Sequence, residues 1–571
     1  MIRFIKKYAL KYWIYYAAGF IALVLTNYIS TVIPLKIKTA IDLLSQAGEF
    51  SLIKGVLVQV IYLALILALT RTLSRLFIFY PGRFVEHDLR NDLFKHLLGL
   101  SASFYRKNKI GDLISRMIND IQSLRANAAL GFLHIVNTVM IYSFVIYQMV
   151  MIHSVLTFWI LLPIPILMFF VWSFVRYMYK YVRQRQQELG DFTNFFLDMF
   201  SSIRVVKTAV AEKAVLNLFD KKNDRYFKTN ILLARIRSGM FPFIGIIGSV
   251  GYMILLLVGG RLMIDGHLTV GEFVAMGSYI TLLSWPTASM AWIINIIQRG
   301  KVAWERIESI LLKTSDFKGA RPLRESSTYD LSLRNLSFNY NDGSGFELRD
   351  ISLSIKAGQV IGLFGPSGSG KTSLLNVIAG LEKVSDDSFL VNGRCLNGLD
   401  IRSYYQRVGW VSQNPFLFSS SISKNISFQD QKDDVEILPF SELACVDQDV
   451  HGFTQKYDTV IGEKGVILSG GQKSRLALSR AYYKQASILI LDDVLSAVDH
   501  DTEKKMIDRL LSQKKPNQTI IIVSHRISAL VSCDTVFVMK EGQIMDSGSH
   551  EELIEKDDLY KYTWSYQQKF E

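Results

Sequence analysis

Apolar residues are distributed unevenly along the chain. Six stretches, at about 13–36, 53–79, 128–152, 155–178, 240–262 and 270–297, reach the length of roughly twenty residues that a helix needs to cross a bilayer. Nothing after about residue 300 does. There the pattern changes to short apolar runs, VIGLF at 360–364, SILIL at 487–491 and TIIIVS at 519–524, which alternate with helical segments. Such runs predict a parallel sheet covered on both faces. Between the two regimes, KTSDFKGARPLRESSTYD is polar and broken by Gly319 and Pro322, as a linker would be. The expected organisation is a membrane all-α domain of six transmembrane helices over 1–311, a linker over 312–330 and an α/β domain over 331–571.

The loops give these helices a direction. The segment from Arg71 to Arg125 carries Arg83, Arg90, Lys95, Arg106, Lys107, Lys109 and Arg116, and the segment from Arg176 to Arg237 is equally basic. Basic loops stay on the cytosolic side. The turns at Ile152–Ser154 and Thr39–Ser51 lack Lys and Arg and are expected outside. Six crossings then place both termini in the cytosol. Both basic loops are longer than a turn requires, and Leu89, Leu93, Leu97 and Leu100 recur at helical spacing, so the membrane helices are expected to continue into the cytosol.

Composition fits this division. Half the residues are hydrophobic and the mean hydropathy is +0.22, yet the formal charge is +13. A lipid-embedded part joined to a water-soluble part reconciles the figures, and cytoplasmic loops account for the positive charge without nucleic acid as a partner. Cys395, Cys445 and Cys533 have neither disulfide-framework nor zinc-site spacing. The basic N-terminus MIRFIKKYALKYW precedes an apolar run long enough to span and lacks a small-residue cleavage site, so it reads as a retained helix.

The sharpest chemical signal is GPSGSGKT, comprising Gly365, Pro366, Ser367, Gly368, Ser369, Gly370, Lys371 and Thr372, with Ser373 next. It follows the strand VIGLF directly. Glycines at this spacing let backbone N–H groups close around phosphates at a helix N-terminus, where the helix dipole also favours anions. Lys371 is placed to reach the β and γ phosphates and Thr372 to ligand Mg²⁺. SILILDD supplies an acidic strand end at Asp492 and Asp493, with Asp492 in the position of a carboxylate that holds Mg²⁺. These elements predict a P-loop ATPase that uses ATP and Mg²⁺.

LSGGQ, Leu468 to Gln472, narrows the class. With the P-loop it makes the chain resemble the ATP-binding-cassette (ABC) family. The resemblance implies that Ser469, Gly470, Gly471 and Gln472 serve a nucleotide held by a second subunit, so that ATP joins two such domains head to tail. It further implies that Tyr340 stacks on adenine, that Gln413 in WVSQNPFLF senses Mg²⁺ and the attacking water, that SAVD (Ser496 to Asp499) contacts the partner, and that His525 meets the γ phosphate. TVIGEKG (Thr459 to Gly465), FYRKNKIGDLISRMINDI (Phe104 to Ile121) and IRVVKTAVAEKAVLNLF (Ile203 to Phe219) resemble segments of exporters. Gln413, Asp493 and His525 are thus the catalytic candidates, and Thr372, Gln413 and Asp492 the metal candidates.

The chain departs from this family at one position. Where the family places a glutamate after the acidic strand end, this sequence has Asp493. The aspartate is one methylene shorter, and a base falling about 1 Å short of its water costs on the order of a hundredfold in rate. Slow hydrolysis at this chain's own site is expected. Because LSGGQ is intact, a heterodimer with a glutamate-bearing partner would retain one complete site, as in the Asp-bearing half of bacterial heterodimeric multidrug exporters, which the chain resembles. A homodimer remains the other arrangement.

The membrane stretches read as free of mid-bilayer charge, so the expected cargo is amphipathic or hydrophobic. Thr26, Asn27, Asn137, Gln148, Tyr279, Ser284, Trp285 and Asn295 are candidate cavity residues, with helix–helix hydrogen bonding as their other reading. Pro163, Pro165, Pro242 and Pro286 are candidate kinks. The expected function is multidrug-type export across the cytoplasmic membrane; a lipid or lipid-linked-sugar flippase is the alternative on the same architecture.

Overall fold

The computed structural model describes residues 1–46, 50–314, 322–340, 345–385, 387–428, 434–462, 468–497 and 500–569. Two compact units result, one of residues 1–95 with 111–312, the other of residues 96–110 with 313–571. Part of the expected linker, residues 315–321, lies outside the described residues.

The first unit is helical. Its long elements are α1 (Trp13–Ser45), α2 (Phe50–Leu98), which ends in the second unit, α4 (Phe132–Ile152), α5 (Pro163–Ser201), α6 (Glu212–Ile254) and α7 (Val270–Leu311). α2 has 49 residues. At 1.5 Å per residue such a helix is about 73 Å long, more than twice a hydrocarbon core of about 30 Å, so it outruns the bilayer. Leu89, Leu93, Leu97 and Leu100 are all buried, which is what their spacing predicts.

Four helices among the described residues are long and apolar enough to cross a membrane: Ile2–Ser45, Phe50–Leu98, Ile110–Ile152 and Val270–Leu311. The two remaining apolar stretches lie in helical backbone, the first interrupted by a turn at Leu162, and their described apolar portions are the shorter segments Ser154–Ile166 and Gly248–Ile264. Pro163 does not kink a longer helix but opens α5 in its first turn, where the missing N–H costs nothing. Pro286 is accommodated inside α7, and the side chain of Pro242 lies outside the described residues.

Helix ends in this unit are fixed by charge. Thr269 caps α7 in a reciprocal box with Glu272, leaving the other carboxylate oxygen of Glu272 for Lys38 of α1 at 2.8 Å. Asp42 of α1 accepts from the backbone N–H of Gly271 at 2.9 Å. At the other end of α7, Arg306 pairs with both Asp112 and Asp120.

Among its described residues the second unit contains α3 (Ala102–Lys107) and ten strands in two sheets. The six-stranded sheet has the order β10-β9-β3-β8-β7-β6, built from β3 (Val360–Phe364), β6 (Val408–Val411), β7 (Ile488–Asp492), β8 (Thr519–Val523), β9 (Thr535–Lys540) and β10 (Gln543–Gly548). It is parallel except for the β9–β10 edge. Ile361, Leu363, Ile490 and Ile521 enter one core while Leu489, Leu491, Ile520 and Ile522 enter another. Alternating side chains therefore bury both faces, which explains why the strands read as continuous apolar runs. A smaller antiparallel sheet, β2-β1-β4-β5, joins β1 (Leu331–Asn339), β2 (Glu347–Ile355), β4 (Phe389–Val391) and β5 (Arg394–Cys395). β1 and β2 mix buried and exposed positions and β4 is only three residues long, so the sequence did not announce them.

Candidate functional site

The loop between β3 and α8 (Lys371–Ile378) is shaped by two glycines that no other residue replaces. A Cβ on Gly365 would stand 2.2 Å from the Met539 carbonyl oxygen. Gly370, which caps α8, has φ +103°, and a Cβ there would meet Leu348 and Phe346 at 2.8 Å. The backbone is held close by its surroundings: Ser369 donates its N–H to the Pro366 carbonyl at 3.2 Å and accepts from the Gly542 N–H at 3.0 Å. Lys371, 7% exposed, folds back over this loop, donating to the carbonyls of Gly365 at 2.7 Å and Pro366 at 2.9 Å.

A cleft of about 420 Å³ opens beside it. Ser367, Gly368, Gly370, Lys371, Thr372 and Ser373 line it from the loop and α8, and Gln413, Asp492, Asp493, His525 and Tyr340 converge from other elements. Parallel pairing causes the convergence: β3, β7 and β8 all end at the same sheet edge, so the loop after β3, Asp492 at the end of β7 and His525 just after β8 meet there. Gly365, Pro366 and Ser369 are not among its lining residues; the carbonyls of the first two hold Lys371. Phe346 and Val523 also line the cleft. Val523 ends the apolar run already read as a strand, whereas no sequence signal pointed to Phe346.

Thr372 Oγ1 donates to Asp492 Oδ1 at 3.3 Å, and Gln413 Nε2 to Asp493 Oδ2 at the same distance. Asp493 has a left-handed backbone, φ +51°, and its N–H bonds the Val523 carbonyl at 3.0 Å. Aspartate enters that region more readily than most side chains. Burial pushes the Asp492 carboxyl above its ordinary range, with neighbouring Asp493 acting in the same direction, and burial lowers the Lys371 ammonium. Burial also lowers the His525 imidazole, helped by the charge of Lys371 and opposed by Asp493. An anion with a bound cation would relieve the first two penalties together.

The donors facing Asp492 are oxygens, as a hard divalent cation requires. Among the described residues no group of three or more His, Cys, Asp and Glu is placed to hold a metal ion by itself, so such an ion would need oxygens of a bound phosphate as well.

Ser469 to Gln472 do not line this cleft. Ser469 caps α9 (Gly470–Tyr483) in a reciprocal box with Gln472, and Gln472 Nε2 is tied to Asp449 at 2.9 Å, an oxygen pair that Asp449 shares with Arg475. Ser469 and Gly470 are exposed, and nothing lies within 4 Å of where a Gly470 Cβ would be. The helix start is thus rigidly presented to the surroundings. In SAVD the side chains of Ser496 and Ala497 and all of Val498 and Asp499 lie outside the described residues, as do Glu463 to Gly465 of TVIGEKG.

Tyr340 has a partner that its motif did not reveal. The Arg106 guanidinium, on α3, stacks 4.2 Å from the ring centroid and pairs with Glu382 at 2.6 Å, whose side chain is only 5% exposed. Removing Arg106 strands a buried carboxylate, which is more damaging than removing both charges. Arg106→Ala should therefore lower the melting temperature more than Arg106→Ala combined with Glu382→Gln. Equal shifts in a thermal-unfolding comparison would show that the pair does not hold α3 in place.

Family models match both units: the ABC transporter transmembrane region over residues 16–287 and the ABC transporter model over 348–496. The chain is 32% identical over 567 residues, 99% of its length and 97% of the relative's, to the multidrug resistance-like ATP-binding protein MdlA of Buchnera aphidicola subsp. Schizaphis graminum. It is 29% identical, over 98% of its length and 96% of the relative's, to the probable multidrug resistance ABC transporter ATP-binding/permease protein YheI of Bacillus subtilis. In fold it is similar to a bacterial Atm1-family ABC exporter with ATP bound, with a TM-score of 0.84 at 21% identity, covering 96% of this chain and 98% of that one. The chain therefore belongs to the ABC transporter family, as a multi-pass membrane protein and ATP-binding transport ATPase whose two regions share one polypeptide.

Proposed function

We propose that the chain is one half of an exporter that moves amphipathic or hydrophobic small molecules out across the cytoplasmic membrane, driven by ATP-induced closure of two nucleotide-binding domains and alternating access. The observation that carries this reading is the separation of two parts of the ATP chemistry. The cleft gathers Lys371, Thr372, Gln413, Asp492, Asp493 and His525, whereas Ser469 and Gly470 are exposed outside it. A rigid, solvent-facing helix start rich in N–H donors calls for an anion from another molecule. The names of the multidrug-resistance relatives support the export reading.

In this reading Tyr340 stacks on adenine, and the N–H groups of the 365–372 loop with Lys371 hold the β and γ phosphates. Thr372 and Asp492, with Gln413, would hold Mg²⁺, which neutralises charge on the phosphate oxygens when bound. Asp493, positioned by Gln413, polarises the attacking water weakly because its carboxylate is short. His525, kept toward its neutral form by burial, donates to the γ phosphate. Ser469, Gly470 and Gly471 complete the partner's site. The short carboxylate at 493 favours a heterodimer whose other half carries the stronger base. The basic loops put both termini and the ATPase domain in the cytosol.

Purification of the tagged chain from its native membranes tests this. The expected result is co-purification of a second half-transporter with glutamate after its acidic strand end, and ATP-dependent accumulation of an amphipathic dye in inside-out vesicles. A brisk ATPase that purifies as a homodimer would overturn the heterodimer, and absence of any ATP-dependent dye movement would overturn export.

A further inference from the structure

The helical unit contains a cavity of about 370 Å³ among α1, α2, α4 and α7. Its polar lining includes Arg71, Arg75, His134, Asn27 and Asn137, with Trp285 beside them. Along the chain Arg71 reads as the start of a cytosolic loop and the membrane stretches read as free of interior charge. The contacts between α1 and α2 set both arginines beside an apolar helix. Lys11 meets Asp88 at 2.6 Å, and a Cβ on Gly19 would meet Ile78 at 2.6 Å, so each step forward on one helix is a step back on the other. Continuing that antiparallel register brings Arg71 and Arg75 alongside Leu23 to Ser30, and the same residues share the cavity lining. They are level with the middle of the apolar stretch 13–36, not with its end.

Both arginines are exposed in the single chain, and a guanidinium set against an apolar helix is costly in lipid without a counter-charge. Among the described residues neither arginine forms an ion pair, and the lining contains no Asp or Glu. The polar floor is ordered: Asn27 Nδ2 donates to Asn137 Oδ1 at 3.2 Å, and the His134 ring stands edge-on to Trp292 with centroids 4.9 Å apart. Leu23, Leu133, Ile141 and Leu282 supply an apolar wall, and Trp285 is 73% exposed. Donors without a counter-charge thus stand on one side of the cavity and hydrocarbon on the other.

We infer that this cavity is a subsite for the anionic head of an amphiphile, a phosphate, sulfonate or carboxylate held by Arg71 and Arg75 with its apolar part against Trp285 and the leucines. The inference rests on the exporter reading and names its substrate class. Planar guanidinium forks suit such oxyanions, and two charge-assisted contacts make the subsite selective for charge sign. The head can belong to a membrane lipid or to a free amphipathic anion, which the test separates.

The experiment uses the transporter purified with its second subunit and reconstituted in vesicles, with three probes: a fluorescent phosphatidylglycerol, an anilinonaphthalene sulfonate and a cationic rhodamine. Wild type should move one or both anionic probes in an ATP-dependent manner. The Arg71→Gln/Arg75→Gln double variant should raise the half-saturating concentration of that anion at least about tenfold and leave the rhodamine within about twofold, while the Arg71→Lys/Arg75→Lys variant, which keeps the charge, should fall between wild type and the glutamine form. Loss confined to the lipid probe assigns a headgroup site, and loss confined to the sulfonate assigns a free anion. Transport of rhodamine but of neither anion by wild type overturns the inference and leaves the exporter standing. Anion transport unchanged in the glutamine variant also overturns it. Movement of none of the three probes removes the exporter reading and the inference with it. Should the glutamine variant fail to assemble, the wild-type choice between anions and cation still decides.

Discussion

Replacing Lys371 by alanine should abolish tight ATP binding at this chain's own cleft. The ammonium is 7% exposed and donates to the Gly365 and Pro366 carbonyls, so it already lies within the loop that would wrap the phosphates. Phosphate oxygens are stronger acceptors than these carbonyls, and a charge-assisted hydrogen bond contributes about 1.5–3 kcal/mol. Losing two such bonds corresponds to a loss of roughly a hundredfold or more in affinity. Burial lowers the lysine's affinity for its proton in the unliganded protein, and a bound triphosphate would restore it. Photolabelling of this subunit with an azido-ATP, resolved from its partner by size, reads the site separately. Lys371→Met, which keeps the apolar stem, separates loss of charge from collapse of the loop. Labelling that saturates at the wild-type concentration in both variants would remove Lys371 from the phosphate site.

In the assembled transporter, Ser469→Ala should cut steady-state ATP turnover severely, on the order of a hundredfold, whereas Asp493→Asn should change it by less than about threefold. The contrast follows from where the two residues stand. Ser469 is exposed at the start of α9, held by its box with Gln472 and outside the chain's own cleft. Its loss removes a γ-phosphate donor from the site that the partner completes, and with it part of the cap on α9. Ser469→Thr, which retains both the hydroxyl and the capping bond, should recover most of the turnover. Asp493 lies inside the cleft against Gln413, and its short carboxylate serves a site that is already slow. ATPase and dye transport measured on both variants decide the matter. Equal damage from the two substitutions would make the Asp493 site a working one and a homodimer the better description.

The nucleotide site was legible because its chemistry is local in the chain. The loop from Gly365 to Thr372 needs a strand before it, a helix after it and glycines at fixed spacing, and all of these are contiguous. The apolar runs at 360–364, 487–491 and 519–524 became β3, β7 and β8 with at most a one-residue change at their ends, because strands buried on both faces are apolar throughout their middles and keep polar residues such as Thr519 and Asp492 to their ends. Six apolar stretches fixed the membrane class for the same reason, since lipid tolerates little else over about twenty residues.

Other features exist only once distant segments meet. The small antiparallel sheet, with polar residues on its open face, leaves no run to read. Tyr340 and Arg106 are 234 positions apart in number, and only folding of residues 96–110 onto the C-terminal unit stacks them. Arg71 reads as the first residue of a basic loop, because hydropathy along one helix locates where apolar residues stop without saying what lies beside them. The register of α1 against α2, set by Lys11 with Asp88 and by Gly19 against Ile78, carries two arginines back to the centre of a neighbouring apolar helix. Sequence alone determined which segments are apolar and which loop holds phosphate, because those properties depend on neighbours in the chain. The tertiary structure decided which charges face a common cavity, because that depends on packing between helices far apart in sequence.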